Sequence, residues 1–409
     1  MISVRGDFIM DIGLVENCTG CGACKFVCPK KCITMQLDKE GFLLPKIDKD
    51  KCIKCGMCLN LCPSYKNNTI IQSENNELKI YAYINGRSKD LQKASSGGAF
   101  TLFADYVLLK KGIVFGAIFN NDFDAIMCCA DNKEDVFRMC GSKYVQCDTS
   151  NTYSLVKKYL NSGQWVLYTG TPCQIAGLYA TLKKVDISRL ITVELLCHGV
   201  PSNHLFKKYI SFLEGKYGKI VNYTFRDKTK WGWGNWGSFE YLKGGKTHKK
   251  YFPVASDYFY SLYFQENIFR ESCYSCKYAN ITRIADFTIG DFWGNDDLFP
   301  ELDPKNGISL ILANNKKSIN LLENIVQERV NDVLLCTDIN KVVIYNKTLI
   351  KPTVRPVSRN LIYHEFFNED FEKVAKRHVK TRYIVPLIMR YLPRRLKLNV
   401  KRIISFLRN

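Results

Sequence analysis

The sequence predicts an α+β chain in which a small cysteine-rich unit precedes a larger, mixed α/β domain. Three observations predict this. One cysteine grid is written twice near the start, as "CTGCGACKFVCP" from Cys18 and "CIKCGMCLNLCP" from Cys52. Strand-like and helix-like stretches alternate from about residue 79 to residue 219. Beyond residue 219 strand and hairpin signals dominate. The expected organisation is a cysteine-grid unit over 10–64, a linker over 65–78, an α/β domain over 79–350 (N-terminal part 79–165, C-terminal part 166–350) and a basic tail over 351–409.

Each grid reads C-x2-C-x2-C-x3-C-P, the bacterial ferredoxin run for 4Fe-4S clusters. Three cysteines at steps of three aim their sulfurs at one point, and the fourth crosses to the other cluster. This assigns Cys18, Cys21, Cys24 and Cys62 to one cluster, and Cys52, Cys55, Cys58 and Cys28 to a second. Gly20, Gly22 and Gly56 suit loops where backbone approaches sulfide closely, and Pro29 and Pro63 end the loops. Zinc sites use paired C-x2-C units without a third cysteine on the stride, and disulfide frameworks belong to short secreted chains, so both readings are set aside. Between the grids, "CITMQLDKEGFLLPKID" reads as two short strands around Lys39-Glu40-Gly41. Cys32 reads as packing filler rather than a spare ligand.

Composition narrows the setting. The 409 residues are 46% hydrophobic and 13% aromatic, enough for a substantial core. Eighteen cysteines without a secretory leader imply a reduced, cytoplasmic protein, and no apolar run is long enough for a membrane-spanning helix. The formal net charge is +20, yet no nucleic-acid motif accompanies it, so no nucleic-acid partner is expected. From Lys373 to Asn409 there are twelve Lys or Arg and no Asp or Glu. Mixed with apolar residues, this tail suits an anionic membrane surface or an acidic partner, against the plainer reading of a solvated helical end. A peripheral position at the inner membrane surface is the corresponding expectation.

In the α/β domain the predicted elements run in order. "KIYAYING" is a strand, "SSGGAFTLFADYVLLKKG" a helix, "IVFGAIF" and "AIMCCA" strands, "NTYSLVKKYLNSG" a helix, "QWVLYTG" a strand, "PCQIAGLYATLKK" a helix, "LITVELLCHG" a strand and "SNHLFKKYISFLEGKYG" a helix. Then come strands in "IVNYTFRD", "GSFEYL" and "THKKYFP", a helix near Ser256 to Phe269, strands in "DFTIGDFWG" and "ISLILAN", and a helix in "KSINLLENIVQER". Four cysteines outside the grids stand where sites form, at strand ends and helix starts. Cys173 follows a strand-to-helix turn, Cys197 ends a strand, and Cys273 and Cys276 form "CYSC". From spacing alone this set suits zinc as well as a cluster. Beside two clusters already present, a third 4Fe-4S cluster acting as an electron relay is the expectation. Cys128, Cys129, Cys140, Cys147 and Cys336 read as structural thiols.

The stretches "SSGGAF", "GSKYVQ", "YTGTPCQIAGL", "CHGVPS", "CYSCKYA" and "ADFTIGDFWG" together resemble the coenzyme F420 hydrogenase/dehydrogenase beta-subunit family, in the family's order and over most of residues 78–310. The resemblance implies a flavoprotein domain of that type carrying FAD and a 4Fe-4S cluster, with Cys173, Cys197, Cys273 and Cys276 at the cluster positions. It implies an iron-sulfur oxidoreductase that exchanges electrons with a redox partner protein and with a hydride-accepting coenzyme, F420-like or another two-electron acceptor. The rival is a nonenzymatic electron carrier within a larger complex.

No G-x-G-x-x-G fingerprint follows an early strand, so a standard nicotinamide site is not expected. Ser95, Ser96, Gly97 and Gly98 by themselves read as an ordinary helix cap with a packing glycine; the resemblance makes them the flavin-phosphate candidate. Lys143 is a candidate for a flavin phosphate or ring, Tyr144 for stacking, and Gly170 and Thr171 for close backbone approach. His198, Lys143 and Asp291 are the weak candidates for catalysis or orientation. "WGWGNWG" at Trp231 to Gly237 reads equally as a lid over a flat ring or as a packing loop.

Overall fold

The computed structural model describes residues 11–65, 77–149 and 151–379. Most of the expected linker (66–76) and the tail from 380 onward lie outside the described residues.

In the cysteine-grid unit the two short helices Ala23–Val27 and Met57–Asn60 each start at a glycine in the left-handed region, Gly22 at φ 78° and Gly56 at φ 70°. A side chain would strain both turns, and both lie inside the grids, where the chain must curl around a centre. Strand β1 (Ile33–Leu37) pairs antiparallel with β2 (Leu43–Ile47), Ile33 facing Ile47. The Asp38 carboxylate closes the turn by accepting from the N–H groups of Glu40 (2.9 Å) and Phe42 (2.8 Å). Ile12, Val15, Ile33 and Leu59 pack around Cys24, Cys32 and Cys62.

The larger domain begins with β3 (Lys79–Ile84), β4 (Ile113–Phe119), β5 (Ala125–Ala130), β6 (Val166–Gly170) and β7 (Leu190–Leu195). An antiparallel three-stranded sheet follows, β8 (Lys219–Thr224), β9 (Trp236–Lys243) and β10 (Lys246–Pro253), before the chain returns as β11 (Phe287–Asp291), β12 (Ser309–Ala313) and β13 (Val333–Thr337). The main sheet has the order β13-β3-β12-β11-β7-β6-β4-β5. Its centre, β11-β7-β6-β4, is parallel, and the flanking strands pair antiparallel. Strands β6 and β12 are buried along their whole length, as expected where helices cover both faces of a sheet. Helix Ala99–Leu109 packs with Lys316–Gln327 in one apolar layer, and helices Thr152–Asn161 and Pro172–Thr181 pack in another.

The smaller sheet rests on helix Asn203–Tyr217 through an aromatic cluster that includes Phe206, Tyr209, Phe225 and Phe259. Helices Arg359–Asn368 and Phe371–His378 complete this cluster with Ile362, Phe366, Phe371 and Val374. Residues 359–379, which fall within the expected tail over 351–409, are therefore part of the core. Helix Phe371–His378 turns Phe371, Val374 and Ala375 inward and its charges outward, whereas Arg359–Asn368 buries Arg359 and Glu365 along with Ile362, Tyr363 and Phe366. Among the described residues no helix is long and apolar enough to cross a membrane.

Candidate functional site

Three parallel strands end at one place. Strand β6 runs out at Gly170, β7 at Leu195 and β11 at Asp291. The carboxyl edge of a parallel sheet is where crevices form, because the loops diverge there. A cavity of about 290 Å³ opens at this edge, lined among others by Cys173, Cys197, His198, Tyr144, Gly170 and Asp291.

The structure brings Cys173, Cys197, Cys273 and Cys276 together although they come from three separate stretches. Cys173 sits in the first turn of helix Pro172–Thr181, where the side chain and N–H of Thr171 form a capping box with Gln174. Cys197 follows β7, and Cys273 and Cys276 sit in the loop that leads back to β11. Burial raises all four thiols, Cys173 to about 11 and Cys273 to about 12. The charge of Cys276 adds to the rise at Cys173, and those of Cys273, Cys173 and Cys276 add to it at Cys197. Backbone hydrogen bonds oppose the rise, from Val200 at Cys273 and from Tyr278 and Ala279 at Cys276. The grids sort in the crossed manner. Cys21 is pushed up to about 12 by burial and then by Cys18 and Cys62, and Cys24 feels the same neighbours. Cys58 feels Cys28 and Cys55, and Cys28, Cys52, Cys55 and Cys58 surround one small hollow with Cys32. Cys32 Sγ lies 3.4 Å from Cys28 Sγ, inside this second group.

Among the described residues, no three Cys, His, Asp or Glu side chains converge tightly enough to hold a single metal ion.

The first cysteine group and the Cys173 group adjoin. A Cβ on Gly177 would lie 3.0 Å from Cys21 Sγ, so helix Pro172–Thr181 presses directly on Cys21. The carbonyl of Cys21 accepts from Thr149 Oγ1 and from Tyr153 Oη, each at 2.8 Å, and Tyr153 also reaches the Gln174 carbonyl at 3.0 Å. Arg270 Nε donates to the Cys18 carbonyl at 2.8 Å while its terminal nitrogens meet Leu43 O at 3.2 Å. Lys277 Nζ bonds the Pro63 carbonyl. Further out, Arg359 forms a two-pronged pair with Glu40 at 2.6 and 2.9 Å. Sequence reasoning found none of Tyr153, Arg270 or Arg359; each is a single residue in no pattern, and its partner lies far along the chain.

Around the cavity several expected binding groups have other duties. Ser96 Oγ donates to the Ile308 carbonyl at 2.7 Å, and a Cβ on Gly97 would lie 2.2 Å from Tyr83 O; both serve close packing of the loop on β3 and β12 rather than offering free donors. Ser95 Oγ accepts from the N–H of Ser142 at 2.8 Å, tying the two glycine-bearing loops together. Gly98, at φ 86°, starts helix Ala99–Leu109, whose first turn faces the cavity. The Lys143 ammonium does not face an anion. It donates to the carbonyls of Arg138, Met139, Cys140 and Gly141 between 2.8 and 3.3 Å, closing helix Lys133–Met139, and burial lowers its pKa to about 8. Tyr144 lines the cavity and packs on Tyr263, ring centroids 4.6 Å apart. Gly170 and Thr171 lie at the cavity wall, with Thr171 Oγ1 3.2 Å from Cys173 Sγ. Desolvation at the cavity wall lowers the pKa of His198, and the charge of Asp291 works against it. Asp291 accepts from Arg226 at 2.8 Å and from Trp233 Nε1 at 3.0 Å, and Trp233 stacks on Trp293 at 4.9 Å. The tryptophan loop is thereby anchored at the cavity rim.

Comparisons with known proteins add the following. Residues 83–153 match the family model for the coenzyme F420 hydrogenase/dehydrogenase beta subunit N-term, residues 163–335 match that for its C terminus, and residues 17–65 match a 4Fe-4S dicluster domain. The chain is 32% identical over 178 residues to a coenzyme F420-dependent sulfite reductase of Methanocaldococcus jannaschii, covering 42% of this chain and 25% of the reductase. It thus spans about a quarter of that relative's length. It is 22% identical over 328 residues to one of the subunits of the F(420)H(2) dehydrogenase of Methanosarcina mazei, covering 72% of this chain and 87% of that relative. The solved F420-reducing NiFe hydrogenase complex of Methanosarcina barkeri aligns at 18% identity with a TM-score of 0.42, over 75% of this chain and 95% of that one, a likeness too slight to carry an argument.

Proposed function

Since the chain belongs to the coenzyme F420 hydrogenase/dehydrogenase beta-subunit family and carries a 4Fe-4S dicluster domain ahead of it, we propose that it is an iron-sulfur flavoprotein oxidoreductase that moves electrons between a redox partner protein and a hydride-accepting coenzyme of the deazaflavin class. Cys18, Cys21, Cys24 and Cys62 would hold one cluster, Cys28, Cys52, Cys55 and Cys58 a second, and Cys173, Cys197, Cys273 and Cys276 a third. FAD would occupy the cavity at the carboxyl edge of the parallel strands. When bound, the clusters carry single electrons and the flavin exchanges them in pairs with a hydride.

The observation that carries this reading is the contiguity of thiols and cavity. Cys21 abuts the helix that bears Cys173, and Cys173 and Cys197 open onto the cavity. At the other end Cys55 is exposed, beside Ile53 and Met57, where a partner protein can approach. The donor chemistry fits. Burial alone keeps the thiols protonated, so they become thiolates only when metal charge outweighs the loss of solvation. The backbone hydrogen bonds at Cys273 and Cys276 then stabilise the anionic sulfurs. The cavity also fits a flavin. A Cβ on Gly141 would meet nothing within 4 Å, and the first turn of helix Ala99–Leu109 offers backbone N–H groups to an anionic oxygen. His198, at the cavity wall, can hold or release a proton at a ring nitrogen. Tyr144 and Tyr263 keep water from that side.

The test is the metal, sulfide and flavin content of anaerobically purified protein, followed by addition of a reduced deazaflavin. About twelve irons per chain, as for three four-iron clusters, with a flavin that bleaches on the addition, is the expected result. Clusters without any flavin would overturn it in favour of a nonenzymatic electron carrier.

A further inference from the structure

We propose that the hydroxyl of Tyr278 is a hydrogen-bond donor to sulfur at the junction of two cluster positions, and that it sets their potentials relative to one another. The inference rests on the three-cluster reading above.

Tyr278 follows Cys276 by two residues. Its loop is pinned from both sides, since Lys277 Nζ holds the carbonyl of Pro63 at the end of the second grid and Arg283 Nη1 donates to the Tyr278 carbonyl at 2.8 Å. The ring is turned inward with 8% of the residue exposed, and its Oη is buried without a partner. No other tyrosine oxygen among the described residues is in that condition. Tyr153, Tyr260 and Tyr363, buried as deeply, each donate to a carbonyl. A buried hydroxyl with no partner costs about 1–3 kcal/mol, so a lone orphan of this kind points to an acceptor supplied by something other than the polypeptide.

The surroundings say what that acceptor is. The phenol lies in the field of Cys173 and Cys276 from the third group and of Cys21 and Cys62 from the first. A neutral thiol is a weak acceptor. An anionic sulfur is a strong one, and a donor to it makes a charge-assisted bond. That bond strengthens when a cluster gains an electron, so it favours the reduced form. Because the hydroxyl sits where the two groups adjoin, it can favour reduction on one side over the other. A merely structural tyrosine would have no such effect.

The experiment is an anaerobic redox titration followed by electron paramagnetic resonance on the full-length protein and its Tyr278→Phe variant, with iron counted on every sample. Tyr278→Phe keeps the ring and removes only the donor. Tyr179→Phe, which removes a hydroxyl bonded to Thr192 Oγ1 at 2.9 Å, serves as the comparison. The expected result is unchanged iron and a lower midpoint for at least one cluster in Tyr278→Phe. The expected size is about a tenfold fall in the reduced-to-oxidised ratio at fixed potential, or about 59 mV for a one-electron couple; Tyr179→Phe should not shift. Equal iron with unmoved midpoints overturns the proposal and leaves three clusters standing. A Tyr278→Phe protein that folds but loads only about eight irons overturns it too, in favour of a structural role. About eight irons in the unaltered protein removes the three-cluster reading itself and the proposal with it, and iron analysis alone recognises that case.

Discussion

Cys21 and Gly177 meet where the cysteine-grid unit lies against the large sheet: a Cβ on Gly177 would stand 3.0 Å from Cys21 Sγ and 2.7 Å from Tyr153 Oη. Glycine inside a helix costs about 0.5–1 kcal/mol relative to alanine, so its place in helix Pro172–Thr181 is set by this approach. Gly177→Val is expected to destabilise the protein by about 1–3 kcal/mol, the usual range for overpacking, and to speed iron loss to a chelator. Thermal unfolding and the chelation rate check this. Unchanged values for both would show that the two units are not tightly joined here.

Glu40 at the hairpin turn and Arg359 in a C-terminal helix form the other clasp. The Arg359 side chain is 2% exposed, and Glu40 balances its charge. Removing Glu40 leaves that charge buried without its closest partner, at a cost of about 3–5 kcal/mol. Glu40→Ala should therefore lower the denaturation midpoint more than Arg359→Met, which removes charge and keeps much of the side-chain volume. Protease cleavage in the hairpin should rise in the same order.

Iron counts separate the cysteine roles. Cys197→Ser is expected to lower iron by about four per chain and leave about eight. Cys32→Ala is expected to keep all of it, despite the 3.4 Å approach of Cys32 to Cys28. A loss of iron in Cys32→Ala would make Cys32 a ligand.

Asp257 governs a pH response. Burial lifts its pKa from 3.8 to about 6, although Tyr209 and Tyr223 and the backbone N–H of Tyr260 bond it. The folded protein then holds this proton more tightly than the unfolded chain does. This group's contribution to stability is greatest below pH 4, falls as pH rises to about 6, and is constant above that. The change is on the order of 3 kcal/mol, from about two pKa units at 1.36 kcal/mol each. Asp257→Asn keeps an acceptor for Tyr260. The unaltered protein minus the variant should therefore trace that decline in denaturant unfolding between pH 4 and 6.

Lys143 separates packing from binding. Its ammonium closes the carbonyl end of helix Lys133–Met139. Lys143→Met should cost about 1–3 kcal/mol of stability through unsatisfied carbonyls, with flavin content unchanged in protein that folds. A selective loss of flavin at full stability would return Lys143 to the binding site.

What was legible in the sequence was local or rhythmic. The two grids declare themselves because three thiols on a fixed stride need only a tight loop. Most strands of the main sheet follow from short apolar runs between turn signals. The Cys173 group was visible as residue type at strand ends, while its convergence depends on the return of the chain from the smaller sheet. The bonds of Lys143 to backbone carbonyls were not legible, because no residue letter encodes such partners. Half of "SSGG" went to packing for a similar reason: the pressing neighbours of Gly97 are Tyr83 and Ser309, the latter more than two hundred residues away. Helix Phe371–His378 was obscured by the run of charge from Lys373, which drew attention away from Phe371, Val374 and Ala375 on its inner face.

The separated origin of the Cys173 group carries a consequence for biogenesis. Each grid can gather three sulfurs as soon as its own loop leaves the ribosome. Cys173, Cys197 and the Cys273–Cys276 pair become neighbours only after β6, β7 and β11 have aligned and the intervening small sheet has docked. If the inner group holds a cluster as proposed, loading would be staged: the N-terminal thiols could accept iron early, and the inner group would be a late checkpoint that only a correctly threaded polypeptide passes.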